Sequence, residues 1–350
     1  MLLVVNAGSS SIRVALFDGL VLVRAGQVGE IGADGHRAAL ARLLADGFGQ
    51  GLTAAAHRVV HGGADLTRPA RIDAEVLRQI EACVPLAPLH NPANLTAIRA
   101  LAELTPDLPQ FASFDTAFHA TNPAVARRYA LPAAVEAEGI RRYGFHGLSY
   151  AAIVRKVKEI GGGVLPRRLL GLHLGNGASL CAIVDGQSVA TTMGYSPLDG
   201  LTMGTRSGAI DGNAVLRLAE VHGIAGASRI LNRESGLLGL GGASDMRALQ
   251  AAGTDAARFA VAHFCYWAVR HAGSMIAAMG GLDAIAFTGG IGENDEFVRG
   301  EILQGLAFVA EGKPVWVIAA EEERQIAMEA LALMEDRGFH TPAPQWSKNH

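Results

Sequence analysis

The chain has 350 residues, 50% of them hydrophobic and 18% charged, with 43 glycines. Disordered chains combine low hydrophobicity with high charge, and collagen places glycine at every third position, so both classes are excluded. Thirty basic residues stand against 33 acidic ones with no basic stripe, which argues against a nucleic-acid surface, and the length predicts about two domains.

Residues 2–5 read as a strand, 6–11 as a polar turn and 12–17 as a second strand; Asp18-Gly19 predicts a tight hairpin turn into a third strand over 20–23. The apolar start is too short for a signal peptide and has no basic lead. A helix is expected over 37–44, a β-rich run over 55–60, helices over 73–82 and 92–104, and a short strand over 110–114 that ends at Asp115. Strands and helices mixed in this way indicate an α/β layer structure. Residues 161–168, with three consecutive glycines, read as an exposed linker.

The opening pattern then returns. Residues 169–174 form a strand, 175–179 a polar turn and 180–184 a strand; Asp185-Gly186 makes the hairpin and 187–192 the third strand. Helices near 213–221 and 256–279, a strand over 284–288, a helix after Glu293, a strand over 315–318 and a closing helix over 322–334 complete the second half. The apolar stretch 264–287 is interrupted by Arg270, His271 and Asp283, so it reads as a buried helix feeding a strand and not as a membrane span. The repeat predicts two facing domains that clamp a phosphorylated ligand.

There is no P-loop, no HExxH and no nucleophile elbow, and the glycine run 239–242 lacks a GxGxxG pattern and reads as a flexible connection. Cys83, Cys181 and Cys265 lie far apart without a CxxC pair, as expected of buried, reduced thiols in a cytoplasmic protein. The small residues of the 6–11 turn let backbone N–H groups and hydroxyls approach phosphate oxygens, with Arg13 on the strand face of Ser9 and Ser11. The turn at 175–179, preceded by His173, echoes it. A third cluster, Gly289-Gly290-Ile291-Gly292, sits between a strand and a helix, where α/β proteins bring backbone close to a nucleotide; Glu293 and Asn294 either cap that helix or contact a ribose or base.

Arg58 in a strand-like run and Arg206 between glycines occupy costly places for a guanidinium unless each meets an anion. Asp115 ends a strand, and His146 stands between glycines. Each of these alone reads equally as a structural salt bridge. With the acidic run Glu321-Glu322-Glu323 they describe phosphoryl transfer, in which arginines neutralise the moving group, carboxylates hold Mg²⁺ and glycine turns seat the phosphates.

The motifs Asn6-Ala7-Gly8-Ser9-Ser10-Ser11, His57-Arg58-Val59-Val60-His61-Gly62-Gly63, Pro88-Leu89-His90-Asn91-Pro92, Phe114-Asp115-Thr116-Ala117-Phe118-His119 and Gly144-Phe145-His146-Gly147 resemble the acetate kinase family. So do His173-Leu174-Gly175-Asn176-Gly177, Gly204-Thr205-Arg206-Ser207-Gly208, Asp245-Met246-Arg247 and Gly290-Ile291-Gly292-Glu293-Asn294, all in family order. The resemblance implies an α/β, duplicated ribonuclease H-like fold of the actin, hexokinase and Hsp70 ATPase type, with two domains facing a central cleft. The first would span 1–115, joined by a C-terminal helix over 323–350, and the second, nucleotide-binding domain would span 116–322. It further implies a cytoplasmic homodimer that moves a phosphoryl group reversibly between ATP and acetate with Mg²⁺, or Mn²⁺ in its place, giving acetyl phosphate and ADP, with no nucleic-acid or membrane partner.

By motif, Asp115, His146, Arg206 and Arg58 match the catalytic set, and Arg58 also the carboxylate-binding residue. Arg13, His173, Leu174, Gly175, Asn176, Gly177, Asp245, Met246, Arg247, Gly290, Ile291, Gly292, Glu293 and Asn294 match the nucleotide-contacting stretches. Val60, Leu89, Phe145 and Pro197 match the acyl pocket, Val60 sharing the face of Arg58 if both lie on one strand; Asn6 and Glu322 match the Mg²⁺ site. Propionate kinase is the alternative within the class, and a non-catalytic, nucleotide-sensing actin-like protein the alternative outside it. The sequence departs from the family at Arg13, where lysine is usual, at Ala320 and Glu321, where threonine and asparagine are usual, and in a short segment between Gly19 and His57. The tail after Thr341 is expected to fray.

Overall fold

The computed structural model describes residues 1–32 and 35–336. The chain forms two compact units, Met1–Ala117 together with the stretch from Glu322 onward, and Phe118–Glu321. The divisions therefore fall after Ala117 and Glu321, not after residues 115 and 322, and Glu322 belongs to the first unit.

The first unit opens with the antiparallel strands β1 (Leu2–Ala7), β2 (Ile12–Asp18) and β3 (Val21–Val28). β4 (Ala54–Val59), the two-residue β5 (Ala70–Arg71) and β6 (Gln110–Phe114) complete a sheet in the order β3-β2-β1-β4-β6-β5, with β1, β4 and β6 parallel to one another. Nearly every residue of β1, β4 and β6 is buried, the continuous apolar run of strands covered on both faces. α1 (His36–Leu43), α2 (Ala74–Ala82) and α3 (Asn91–Leu104) supply cover: Leu40, Leu43 and Leu101 join Leu3, Val5, Ile12, Val14 and Leu16 in one core. Asp73 starts α2 by accepting from the amides of Glu75 and Val76.

The second unit contains α4 (Ala124–Arg127), α5 (Ala133–Ala137), α6 (Gly147–Ile160), α7 (Gly212–Arg229), α8 (Gly236–Gly241), α9 (Met246–Ala252), α10 (Asp255–Met279), α11 (Gly289–Asn294), α12 (Glu296–Gly305) and α13 (Ala307–Ala310). Its strands are β7 (Arg168–Leu174), β8 (Ala178–Val184), β9 (Gln187–Thr191), β10 (Ala284–Thr288) and β11 (Val315–Val317), in the order β11-β10-β7-β8-β9. β7, β8 and β9 are antiparallel neighbours, and β10 and β11 continue in parallel from β7. Strand for strand this repeats β1, β2, β3, β4 and β6. The chain then leaves this unit, and α14 (Glu322–Glu335) packs on β1, β4 and β6 of the first. Among the described residues no helix is long and apolar enough to cross a membrane.

The structure departs from the sequence reading in several places. The first hairpin turns at Gly19-Leu20, because Asp18 pairs with Val21, and β3 runs on to Val28. The second turns at Asp185-Gly186, both left-handed at φ 50 and 81, the type I′ geometry that matches strand twist. Residues 236–241 form α8, closed by Gly242 at φ 83, so the glycine run is not a flexible connection. The cluster after β10 is also helical: Gly289–Asn294 is α11, and Asp295, not Glu293 or Asn294, caps the following α12 through the Val298 amide. α6 was not anticipated, although Leu148 with Ala152 and Ile153 with Val157 give it a buried face at helical spacing. The expected closing helix is described only as far as Glu335, and the tail after Thr341 lies outside the described residues.

Candidate active site

Because β1, β4 and β6 are adjacent and parallel, Asn6, Arg58 and Asp115 arrive at one end of the first unit's sheet. The carboxyl ends of parallel strands are where α/β proteins collect ligand-binding groups. Arg58 donates from Nε to Asp115 Oδ1 and Oδ2 at 3.1 and 3.2 Å, and from Nη2 to Oδ2 at 2.6 Å. Its Nη1 reaches Asn6 Oδ1 at 3.4 Å, and Glu322, the first residue of α14, places Oε2 3.9 Å from Nε. Arg13 is directly opposite Asn6 in the β1–β2 register and is exposed.

Burial opposes charge on Arg58, but the fields of Asp115 and Glu322 more than offset it and raise its pKa. Burial also raises the pKa of Asp115, with Arg58 working against it and Glu322 adding to it. The anion that a strand-borne arginine requires is thus provided by the chain itself, in an ion pair whose carboxylate side chain is 2% exposed.

The loop after β4 is held by side-chain amides from α3. Asn94 accepts from the Val60 amide and donates to the Ala7 carbonyl, and Asn91 brackets both the amide and the carbonyl of His61. β4 stops at Val59, so strand alternation does not set the direction of Val60; its buried position follows from this amide clamp. Leu89 is 44% exposed. His57 faces the core, hydrogen-bonded to Gln110 Oε1 at 2.6 Å, and burial lowers its pKa to about 4.

In the second unit the turn Gly175-Asn176-Gly177 joins β7 to β8, as the 6–11 turn joins β1 to β2. A β-carbon on Gly177 would stand 3.3 Å from His146 Nε2 and 3.6 Å from Arg206 Nη1, so the turn is open to both side chains. Gly204 packs so closely on the Asn176 side chain that a β-carbon there would force that side chain to move. Gly289 adopts φ 80 with the Leu174 carbonyl 2.7 Å from where a β-carbon would be, which brings α11 against the same turn. The Gly290 amide is 3.8 Å from the position a Gly175 β-carbon would take.

His146 is a left-handed residue, φ 59, at the start of α6. Its ring stacks on His173 at 4.0 Å between centroids, and its Nδ1 is 2.9 Å from Ser179 Oγ. Arg206 donates to the Pro197 carbonyl at 3.1 Å and makes no ion pair among the described residues; burial lowers its pKa. Phe145 is buried, and its carbonyl accepts from His119 Nε2 at 2.9 Å.

The remaining motif residues divide by side chain. Asp245 caps α9 through the Ala248 amide and pairs with Arg247 at 3.4 Å, both exposed, whereas Met246 and Leu174 are buried. Glu293 staples its segment by accepting from the Gly289 and Ala320 amides at 3.1 and 3.0 Å, and Asn294 donates to the Gly290 carbonyl. Val60 and Leu89 belong to the first unit, Phe145 and Pro197 to the second. Adjacent glutamates also part here: Glu322 stands by Arg58, while Glu321 pairs with Arg155 at 2.7 Å and Lys156 at 3.4 Å.

A family model described as the acetokinase family matches residues 38–312. The chain belongs to the acetokinase family. It is 43% identical to an acetate kinase of Pseudomonas aeruginosa, with 95% of this chain and 99% of that protein aligned. That alignment spans 390 positions, more than the chain possesses, so the relative carries segments that this member lacks. Among solved structures it resembles Porphyromonas gingivalis acetate kinase (33% identity, TM-score 0.87, 95% of this chain and 99% of that one). It resembles equally a propionate kinase from Francisella tularensis (34%, TM-score 0.87, 94% and 98%). This acetokinase-family member therefore has the α/β two-unit fold of the actin, hexokinase and Hsp70 type and is a kinase-type phosphotransferase.

Sequence reasoning gave no role to Tyr150 or Asn94, nor to Ser179, His119 and Asn91 although these stand in the quoted motifs and turns; all five support the site residues from within the core. Each is an ordinary polar residue in sequence; only the buried hydrogen bond marks it.

Proposed function

We propose that the protein transfers the γ-phosphoryl group of ATP reversibly to acetate, giving acetyl phosphate and ADP, with Mg²⁺. The observation that carries this reading is Arg206: a half-buried guanidinium without an ion pair among the described residues, beside His146 Nε2 at an open glycine turn. Such a group is stabilised by an incoming anion, and charge spread over a moving phosphoryl group is one. The relatives named as acetate kinases support the choice of acceptor.

Acetate is already ionised near pH 7, so no strong base is needed to deprotonate the nucleophile. Asp115 accordingly serves by holding Arg58, whose Nη1 side faces Asn6. Arg58 orients the acid, Arg206 and His146 meet the equatorial phosphoryl oxygens, and the 175–177 turn, Asp245–Arg247 and Gly290–Asn294 seat the nucleotide. Val60, Leu89, Phe145 and Pro197 are the residues that the family motifs assign to the acid's methyl group.

The donors offered by Asn6 and Glu322, an amide oxygen and a carboxylate gathered about Arg58, fit Mg²⁺, which takes few protein ligands beside phosphates and water. Among the described residues no group of three or more His, Cys, Asp or Glu is arranged so that it could hold a metal ion. When bound, Mg²⁺ or Mn²⁺ would neutralise phosphate charge.

The structural likeness to a propionate kinase favours a second reading, the longer acid. A coupled assay with acetate, propionate and butyrate over a range of Mg²⁺ separates them. Highest kcat/KM on acetate is expected; a preference for propionate moves the assignment, and ATP turnover that ignores every carboxylate overturns it in favour of a nucleotide-sensing role. A cytoplasmic homodimer completes the reading. α7 buries only Ala227 and leaves Leu216, Val221 and Ile224 exposed, and sedimentation at a single-chain mass would remove the dimer.

A further inference from the structure

Beneath His146 runs a line of hydroxyls that no step above uses. Ser179 Oγ lies 2.9 Å from His146 Nδ1 and 2.6 Å from the Tyr150 hydroxyl. Both Ser179 and Tyr150 are 0% exposed. Burial pushes the pKa of Tyr150 well above its ordinary value, so the phenol keeps its proton.

The hydrogens along this line can be counted. Among the described residues Ser179 Oγ is the acceptor within hydrogen-bond distance of the Tyr150 hydroxyl, so the phenol's hydrogen goes to it. The single hydrogen of Ser179 then has, among the described residues, one side-chain acceptor left, His146 Nδ1. That nitrogen is therefore an acceptor, and the imidazole hydrogen sits on Nε2. The opposite direction, with Nδ1 donating to Ser179 and Ser179 to Tyr150, would leave the buried phenol hydrogen without an acceptor, which folded proteins avoid.

Nε2 is the nitrogen that faces the Gly177 turn beside Arg206. We propose that Tyr150 and Ser179 are positioning residues which hold His146 as a neutral Nε2–H donor aimed at the transferring phosphoryl group. No proton leaves the line; the device fixes which atom carries it. A backbone tie completes the hold. His119 Nε2 donates to the Phe145 carbonyl, and Gly144, at φ 80, packs against the His119 ring, so the left-handed turn at His146 is braced from behind. The inference rests on the assignment of His146 to the phosphoryl group, and its test must tell the two apart.

The tautomer can be read on the resting, full-length protein by nitrogen-15 NMR of labelled histidine. A bare Nδ1 and a protonated Nε2 on His146 are expected, and a spectrum with hydrogen on Nδ1 overturns the proposal. Tyr150→Phe keeps the ring and removes the relay's first hydrogen. It should mix the two tautomers and lower kcat about three- to tenfold, a fraction of what a full acid–base contribution carries, with KM for acetate and ATP within about twofold. Ser179→Ala should cost at least as much, and Ser179→Thr, which retains the hydroxyl, should restore the wild-type spectrum and rate. An unchanged tautomer in Tyr150→Phe overturns the relay. A changed tautomer with unchanged turnover overturns its use in catalysis and the role of His146 with it. Should the wild-type enzyme prove inactive on every carboxylate, the acetate reading fails while the resting spectrum still decides the relay.

Discussion

The two units share a sheet plan and treat their arginines in opposite ways. In the first, Arg58 is locked to Asp115 through three hydrogen bonds, with Glu322 beside it, so charge is balanced before any ligand arrives. In the second, Arg206 leans on a carbonyl and a thioether and has no carboxylate partner among the described residues, and its neighbour His146 is served by hydroxyls. A duplicated scaffold thus presents one balanced and one unbalanced cation at equivalent sheet ends. The lesson is that topology places a charge, while its side-chain partners decide whether a carboxylate of the chain already meets it.

Removing each arginine should expose the contrast most strongly. Arg58→Ala leaves Asp115 buried without its partner and should destabilise the fold by about 3–5 kcal/mol as well as cutting kcat by about 10²–10³. Arg206→Ala should produce a similar loss of kcat with a denaturant midpoint close to wild type, because no carboxylate is orphaned. Equal destabilisation in the two variants would erase the distinction drawn here.

Acid should weaken both units through buried neutral histidines. Burial lowers His57 and His61 in the first unit, and His119 in the second, to about 4. The unfolded chain takes up protons near pH 6.5 that the folded chain refuses until about 4, so stability present at pH 7 is lost as pH falls through that window, at about 1.4 kcal/mol per pH unit for each group. Urea unfolding between pH 7 and 4.5 measures the slope, and His57→Gln should remove about one group's worth. A flat profile would mean these rings ionise inside the fold.

Smaller effects test the neighbouring glutamates. Glu322→Ala should raise the Mg²⁺ concentration for half-maximal rate, whereas Glu321→Ala, which loses the Arg155 and Lys156 pairs of the second unit, should stay near wild type. A severe Glu321 variant would shift the metal assignment by one residue. The smallest change concerns the acyl pocket. Val60→Ala should lower kcat/KM for acetate relative to propionate by an amount within about 1–3 kcal/mol, the worth of one methylene. An unchanged ratio would place the pocket's end wall at Leu89, Phe145 or Pro197.

Much of this was legible in the chain. The paired hairpins, the strands at 110–114 and 284–288 and the order of the glycine turns follow from local pattern, because alternation and turn chemistry act over a few residues. The site was harder to read. The sequence shows Arg58 and Asp115 as two costly residues 57 positions apart, and nothing local says that parallel strands make them partners. The 289–294 cluster looks like a loop by its glycines, yet it forms a helical turn because Glu293 reaches back to the Gly289 amide. The third strand looked short because its apolar run ends at Val23, whereas pairing with β2 carries it to Val28.

By itself the sequence determined the α/β duplication and the identities of the residues that converge, since both are written in short-range periodicity and in motifs that any fold of this chain must carry. The tertiary structure alone decided their electrical state. Whether a guanidinium is paired, which glutamate of three stands by Arg58 and which nitrogen of His146 holds a hydrogen all depend on groups distant in sequence brought within about 4 Å, where burial removes water's screening and makes each partner count.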